Sequence, residues 1–316
     1  MGNVRRWVFA LTLTTSWATS YAQDLDSLLV KATLSSQDTL SIVDLIDSLL
    51  TLDDGLESQL AFRVGYNSNV LEAGRTLGIQ NFGLSPAISY YHKSGFYADL
   101  TGYWSKDFDP AYYLTVASLG YMYTFSKYLS FMANYDRYFY ASSSSYIPYQ
   151  NTFSLTPVID VKPFSLTLNY SYYFGDQVAH RLMPGLGVRI ERKKLWKFDR
   201  VALLPSFYVL FGDATITTID YVPPTTREEF IQARRNFRDF RVYGVAKQTD
   251  EHLFGVMNYT ISVPLSVTYK SWSLMLTYAY NIPKALDGEP LTISESSFIS
   301  GSLTYYISFS PNKKRL

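Results

Sequence analysis

The chain has 316 residues, 28 tyrosines, 20 phenylalanines, no cysteine and a formal net charge of +1. The absence of cysteine excludes disulfide bonds, thiol catalysis and a lipid-modified N-terminal cysteine. Charged residues make up 17%, below the roughly 25% of a typical soluble domain, and the near-neutral balance gives no argument for a nucleic-acid partner.

Residues 1–22 predict a secretory signal peptide. Arg5 and Arg6 form a positive n-region, a short apolar core follows, and Ser20-Tyr21-Ala22 matches a small-x-small cleavage site. No run reaches the 18 or more apolar residues of a membrane-spanning helix. We therefore predict export across the inner membrane, with cleavage near Ala22.

Residues 23–57 predict a short acidic amphipathic helix on the periplasmic side. The motif at 24–29 is echoed at 44–50, and in the second copy the apolar residues fall at helical spacing. The residues on that face are Ile42, Leu45, Ile46, Leu49 and Leu50. Such a segment caps the barrel mouth, docks a partner or lies loosely, and the sequence leaves these roles open.

Residues 58–309 contain about twelve runs in which apolar and small polar residues alternate. The pattern is clearest from Met257 to Tyr269 and from Trp272 to Ile282, on either side of Lys270-Ser271. A period of two indicates strands, and two runs joined by two residues indicate a hairpin. Each arm has about 13 residues, more than the roughly 9–11 that a tilted strand needs to cross a bilayer.

The connections between these runs alternate in length. Long connections are predicted at 68–80, 105–111, 141–150, 213–255 and 283–296. Short connections are predicted at 93–95, 126–127, 162–163, 192–200 and 270–271. The one exception to the alternation is 175–179, which is short although it stands where a long connection is expected. Short periplasmic turns, long outer loops and an even strand number are typical of membrane barrels. We therefore predict an all-β fold: an antiparallel up-and-down transmembrane β-barrel of about 12 strands with a short N-terminal helical segment.

Aromatic and proline residues recur at the ends of the predicted strands. Tyrosine and tryptophan favour the membrane–water interface, so we predict an aromatic belt; its long-loop side comprises Tyr103, Trp104, Tyr112, Tyr138, Tyr140, Tyr172 and Tyr173. Proline removes a ladder donor, so we predict bulges or local bends at Pro86, Pro157, Pro184 and Pro264.

The strand pattern, loop alternation and signal peptide resemble those of the outer-membrane β-barrel proteins of Gram-negative bacteria. The resemblance implies an outer-membrane location, contact with outer-membrane lipid and lipopolysaccharide, and insertion by the outer-membrane assembly machinery. Such chains commonly end in a strand that finishes with phenylalanine, as Tyr305–Phe309 does here. In this chain, however, a tail at 310–316 follows it.

Charged residues on the polar face of the strands are expected to point into the lumen, because charge toward lipid is costly. The candidates are Arg63, Asp99, Asp136, Asp160, Arg181, Arg189 and Glu191. Their mixed signs indicate either paired ladders that fill a narrow barrel or a constriction that selects small solutes by charge and size.

The longest connection, 213–255, predicts a helix because Thr226 and Glu229 match a capping box. Its arginines, of which Arg234, Arg235 and Arg238 are the main candidates, supply positive charge. This helix plugs the lumen, binds an anionic ligand such as lipopolysaccharide, or packs on the barrel rim.

Evidence for catalysis is weak. His92-Lys93-Ser94 is reminiscent of outer-membrane phospholipases, but it falls in a predicted periplasmic turn and lacks their asparagine partner. His180 and His252 are expected in loops, without spacing suited to a metal site. We predict a non-enzymatic barrel without a cofactor: a narrow channel for small solutes or a largely filled structural barrel. The alternatives are a surface binding protein that acts through 213–255 and a membrane-embedded hydrolase.

Overall fold

The structure is a computed structural model that describes residues 58–68, 83–106, 109–141, 149–240, 243–286 and 294–309. The predicted signal peptide (1–22), amphipathic segment (23–57) and tail (310–316) lie outside these residues. The strands are β1 Gln59–Asn67, β2 Gly83–Tyr91, β3 Phe96–Trp104, β4 Tyr112–Ser126, β5 Leu129–Tyr140, β6 Asn151–Val161, β7 Phe164–Phe174, β8 Val178–Val188, β9 Ile190–Leu195, β10 Phe198–Leu203, β11 Ser206–Val222, β12 Val245–Tyr269, β13 Trp272–Pro283 and β14 Ser296–Ser308, and the helix is α1 Arg227–Phe240.

These strands form one closed antiparallel barrel. Sequence neighbours pair throughout except at β8/β9 and β10/β11, where β8 pairs with β11 and β10 with β12, and β1 closes the ring against β14. The pair Gly187↔Ser206 between β8 and β11 and the pair Ile190↔Leu203 between β9 and β10 have the same register. β8 and β9 therefore form one long barrel strand with a short interruption, and so do β10 and β11; each such barrel strand is called a stave. The barrel therefore has twelve staves, and the predicted fold class is confirmed.

The short turns lie at one end of the barrel, here called the short-turn rim; the opposite end is the long-loop rim. Both the start of β1 and the end of β14 lie at the short-turn rim, because Gln59 pairs with Ser308 and with Tyr91. Gly95 makes the β2–β3 turn possible: its φ of 97° is left-handed, and a Cβ there would lie 2.1 Å from the Met122 carbonyl oxygen.

Two hairpins extend past their neighbours. At the short-turn rim, β9 continues beyond Phe164, the residue at which β7 begins. At the other rim, β11 and β12 stay paired for ten residues beyond Gly212, the last β11 residue paired with β8. The predicted extent of the 213–255 connection is therefore wrong: β-branched Thr and Ile residues continue the ladder, and only 223–244 connects the strands, with α1 inside it.

The two faces of the wall differ as the alternation predicts. Outward side chains such as Phe62 and Leu119 are 44% and 63% exposed, whereas inward neighbours such as Ala61 and Met122 are buried. A barrel whose outer surface consists of exposed apolar side chains indicates that this surface faces lipid. Within the described ranges, no helix combines the length and hydropathy needed to cross a bilayer.

The bulges predicted at the four prolines are not found, because the register shifts lie at Tyr103/Trp104, Thr124/Ser126 and Leu210/Phe211. The register is the same on both sides of each proline, although the ladders with β3, β7 and β11 lack pairs at Pro86, Pro157 and Pro184. Local bends at the prolines stay a prediction. At the shift between Leu210 and Phe211, Met257 is the extra residue of β12, and its side chain packs on Leu286.

The aromatic belt is also only partly where it was predicted. Tyr138 and Tyr173 are buried inside the barrel, while Tyr112 on the outside is 46% exposed. Successive residues of a strand point to opposite faces. A cluster of tyrosines at a strand end therefore divides between the lumen and the lipid.

Candidate functional site

The lumen contains all seven charged residues predicted to line it. Each lies on the strand face opposite the exposed apolar side chains; Arg63, for example, stands between exposed Phe62 and Val64. The structure separates them into two clusters and one arginine. These residues are Arg63, Asp99, Asp136, Asp160, Arg181, Arg189 and Glu191.

The first cluster, the acid cluster, is centred on Asp99 of β3. The Asp99 carboxylate accepts hydrogen bonds from Ser89 Oγ and from Thr101 Oγ1, the latter at 2.6 Å. Arg63 Nη2 lies 3.6 Å from Asp99 Oδ1 and donates to Thr101 Oγ1 at 3.5 Å. The Asp99 carboxylate is thereby held by two hydroxyls and one guanidinium.

Asp136 of β5 completes the acid cluster. The ladder places Asp99 opposite Ser118, and Ser118 opposite Asp136, so the two carboxylates stand two strands apart at one level. Asn134 Nδ2 donates to Asp136 Oδ2 at 2.7 Å. At this level the inner wall therefore carries two carboxylates, separated by Ser118 on β4.

The second cluster, the rim cluster, lies at the short-turn rim. Arg189 Nη2 is 2.5 Å from Asp160 Oδ2, and Arg200 Nε is 3.5 Å from Glu191 Oε1. Both arginine side chains are largely buried. Arg200 was missed in the sequence, because it was assigned to the predicted connection 192–200, whereas the strand already begins at Phe198. Its even spacing from Ala202 and Tyr208 on the inward face was the available signal.

Arg181 stands apart from both clusters. Its guanidinium carbon lies 4.8 Å from the centre of the Tyr173 ring on β7, a distance suited to a cation–π contact. Because Arg181 pairs with Gly212 in the ladder, it sits toward the long-loop rim. When Arg200 is added to the seven predicted residues, these lumen side chains carry four positive and four negative charges.

Small polar side chains cover much of the remaining wall. Asn169 donates to Thr156 Oγ1 at 2.8 Å, and Ser154 and Ser171 are 2.9 Å apart. On the other side, Thr260 Oγ1 donates to Asn281 Oδ1 at 2.8 Å. Thr156 and Ser266 are both 0% exposed, so these hydroxyls are covered by other side chains rather than bathed in a wide pore.

Large apolar side chains occupy another part of the lumen. Tyr91, Tyr97, Met122 and Met132 form one buried cluster inside β2–β5, against which Tyr306 packs. The prediction of a small, polar interior is therefore wrong for this part of the wall. Large residues on some staves and small residues on others fill a narrow barrel, as close packing requires.

The arginines predicted on the long connection do not join the lumen clusters. Arg234, Arg235 and Arg238 lie on α1 and are exposed. The capping box is confirmed: Glu229 N donates to Thr226 Oγ1 at 3.2 Å, and Thr226 N donates to Glu229 Oε2 at 3.1 Å. The helix packs on β12 and is anchored by Asn236, whose Nδ2 donates to the Gly244 carbonyl at 2.9 Å.

The histidines are distributed on the outside of the barrel. His92 and Ser94 form a hydrogen bond of 2.6 Å in the β2–β3 turn. His180 and His252 lie in β8 and β12, so their predicted loop positions are wrong; His180 Nδ1 is 2.8 Å from Tyr170 Oη. Over the part of the chain that the structure covers, no three His, Asp or Glu side chains are grouped as metal ligands.

No protein-family model and no curated protein matches this chain. Solved structures do: KdgM porin has 12% identity and a TM-score of 0.42, with 78% of this chain and 98% of that chain covered. NanC porin has 12% identity and a TM-score of 0.40, with 78% and 98% covered. LpxR from Salmonella typhimurium has 12% identity and a TM-score of 0.37, with 78% and 99% covered. These TM-scores are too low to carry an argument about function, and the barrel assignment rests on the strand pairing itself.

Proposed function

We propose that the protein is a non-enzymatic outer-membrane barrel that forms a narrow channel for small polar solutes. The observation that carries the proposal is the polar and charged lining of the lumen, which includes the ion pairs Arg63–Asp99 and Arg189–Asp160. Charges that line a lumen are the usual means of selecting what passes.

The pairing also defines what kind of channel this is. Each lumen arginine of the two clusters has a carboxylate within 4 Å, so the summed field along the path is weak. A channel of this kind selects by size and hydrogen bonding more than by net charge. The buried hydroxyls of Thr156 and Ser266 indicate a restricted cross-section, so we expect small conductance steps.

Single-channel recording in planar bilayers tests the proposal. We expect small, discrete steps from the purified protein and little preference between cations and anions. Replacing Arg189 with Gln leaves Asp160 without its arginine and should shift the preference toward cations. The matched control is Arg137→Gln, which lies outside the lumen, where it hydrogen-bonds Asn151. Complete absence of conductance would favour the filled structural barrel instead.

The role of the long connection is tested by deletion. Replacing residues 223–244 with a two-residue Asn-Gly turn removes α1 but keeps the β11–β12 ladder. We expect unchanged conductance, since α1 packs on β12 at the end of the extended hairpin. Increased conductance would identify α1 as a plug. Binding of lipopolysaccharide by Arg234, Arg235 and Arg238 and recognition by the assembly machinery remain predictions.

A further inference from the structure

An apolar groove of about 460 Å³ crosses the outer surface of the barrel. It begins at His92 on the short-turn rim and runs over β3, β4 and β5 to Phe153 on β6. Its volume is within the roughly 300–1,000 Å³ of small-molecule sites. No aspartate or glutamate is among the residues that line it.

Small residues between aromatic walls create this groove. Ala98 on β3 and Ala133 on β5 are small outward residues, and Leu119 and Tyr121 of the intervening strand β4 line the groove between them. Phe96 and Tyr121 stand at one side with ring centres 4.7 Å apart, and Tyr135 with Phe153 stands at the other. The groove is therefore a built feature of the lipid-facing surface rather than a gap between loops.

The position of the groove determines what can fill it. If the barrel spans a membrane, as the proposed function requires, hydrocarbon chains are the surrounding solvent at this depth. At the groove's polar end stands His92, followed in the turn by the exposed cation of Lys93. Lys93 is outside the groove lining, but its exposed ammonium lies in the same turn as His92 and supplies a positive charge on the rim to which a lipid phosphate is complementary.

We propose that the groove holds one acyl chain of an anionic glycerophospholipid from the leaflet at the short-turn rim, with its phosphate beside His92 and Lys93. The chain packs on Ala98 and Ala133 between the aromatic walls. Such a lipid stays with the protein when bulk lipid is exchanged for detergent, because its chain packs against the apolar side chains that line the groove.

Native mass spectrometry of the full barrel in detergent tests this assignment. The protein is incubated with phosphatidylglycerol or with phosphatidylcholine, and bound lipids are counted. We expect one phosphatidylglycerol to be retained at least several-fold more than phosphatidylcholine. Ala98→Leu with Ala133→Leu fills the groove and should abolish this retention, while Lys93→Gln should remove the preference for the anionic lipid.

Ala117→Leu is the matched control, because Ala117 also faces outward, pairs with Leu100 and lies outside the groove. Equal retention by the filled variant and the control would overturn the proposal, as would equal retention of the two lipids by the unchanged protein. Conductance of each variant is recorded in parallel. Loss of lipid retention with unchanged conductance separates this assignment from the proposed channel function.

Discussion

At two places in the lumen a glycine lies directly opposite a tyrosine on the next strand. Tyr97 pairs with Gly120, and Tyr208 pairs with Gly185. A Cβ on Gly120 would come within 2.3 Å of the Tyr97 ring, and one on Gly185 within 2.4 Å of the Tyr208 ring. The ring therefore occupies the space that a side chain would take, which lets a bulky aromatic lie flat in a narrow lumen.

Gly120→Ala should destabilise the barrel by about 1–3 kcal/mol, because the Tyr97 ring must leave its place beside Tyr91 and Met122. Urea unfolding in lipid vesicles measures the change. In the double variant with Tyr97→Ala the added methyl has room, so the two effects should not add. Full additivity would show that the ring and the glycine are independent.

The rim cluster provides a second residue-scale test. Asp160→Asn leaves the Arg189 guanidinium, whose side chain is 6% exposed, without its carboxylate. Uncompensated charge in such a place is costly, so we expect a loss of up to about 3 kcal/mol of unfolding free energy. Adding Arg189→Gln should recover much of the loss, and a double variant no more stable than Asp160→Asn would contradict the pairing argument.

At the scale of single elements, the β11–β12 hairpin and α1 differ from the rest of the chain. The hairpin extends beyond both neighbouring strands. Its outer part, residues Asp213 to Val222 of β11, is therefore held only by its pairing with β12. Its helix is fixed at the start by the capping box and at the end by Asn236. The element therefore has its own local determinants of stability, separate from those of the barrel wall.

The stability of α1 should depend on pH through Glu229. Hydrogen bonds from the Thr225 backbone N–H and hydroxyl, and from the Thr226 N–H, lower the pKa of the Glu229 carboxyl. A depressed folded-state pKa means that the stabilisation is present above the unfolded-state pKa and is lost as pH falls through the folded-state pKa. We expect faster hydrogen exchange in 227–240 under acid conditions, after correction for intrinsic rates.

Glu229→Gln should remove that pH dependence, since glutamine does not titrate. Glu228→Gln is the matched control, because it changes the same charge one residue away and keeps the cap. If acid loosens the helix equally in both variants, the cap is not the cause.

At the scale of the whole molecule, closure is the feature on which the lumen depends. β14 pairs with β1 over nine positions from Gln59↔Ser308 to Asn67↔Ser300, and with β13 on its other side. Unpaired backbone groups cannot be satisfied within lipid. Loss of a single stave therefore leaves two open edges and affects every inward residue together.

Deleting residues 296–316 should prevent formation of a compact barrel that resists unfolding by detergent at room temperature. Deleting only 310–316 should preserve it, because the paired region ends at Ser308. Heat-modified gel mobility measures both. A folded barrel from the longer deletion would contradict the closure assigned here.

The sequence by itself determined the barrel, its strand number, the inward positions of seven charges and the capped helix, because period-two alternation and capping are local properties of the chain. Tertiary structure decided which charges meet. Arg200 joins Glu191, and Arg63 joins Asp99 from a strand 36 residues earlier, and no local pattern encodes such distances. It also decided that part of the lumen is filled by tyrosine and methionine, because inward side chains from five successive strands and from β14 come together only when those strands have paired.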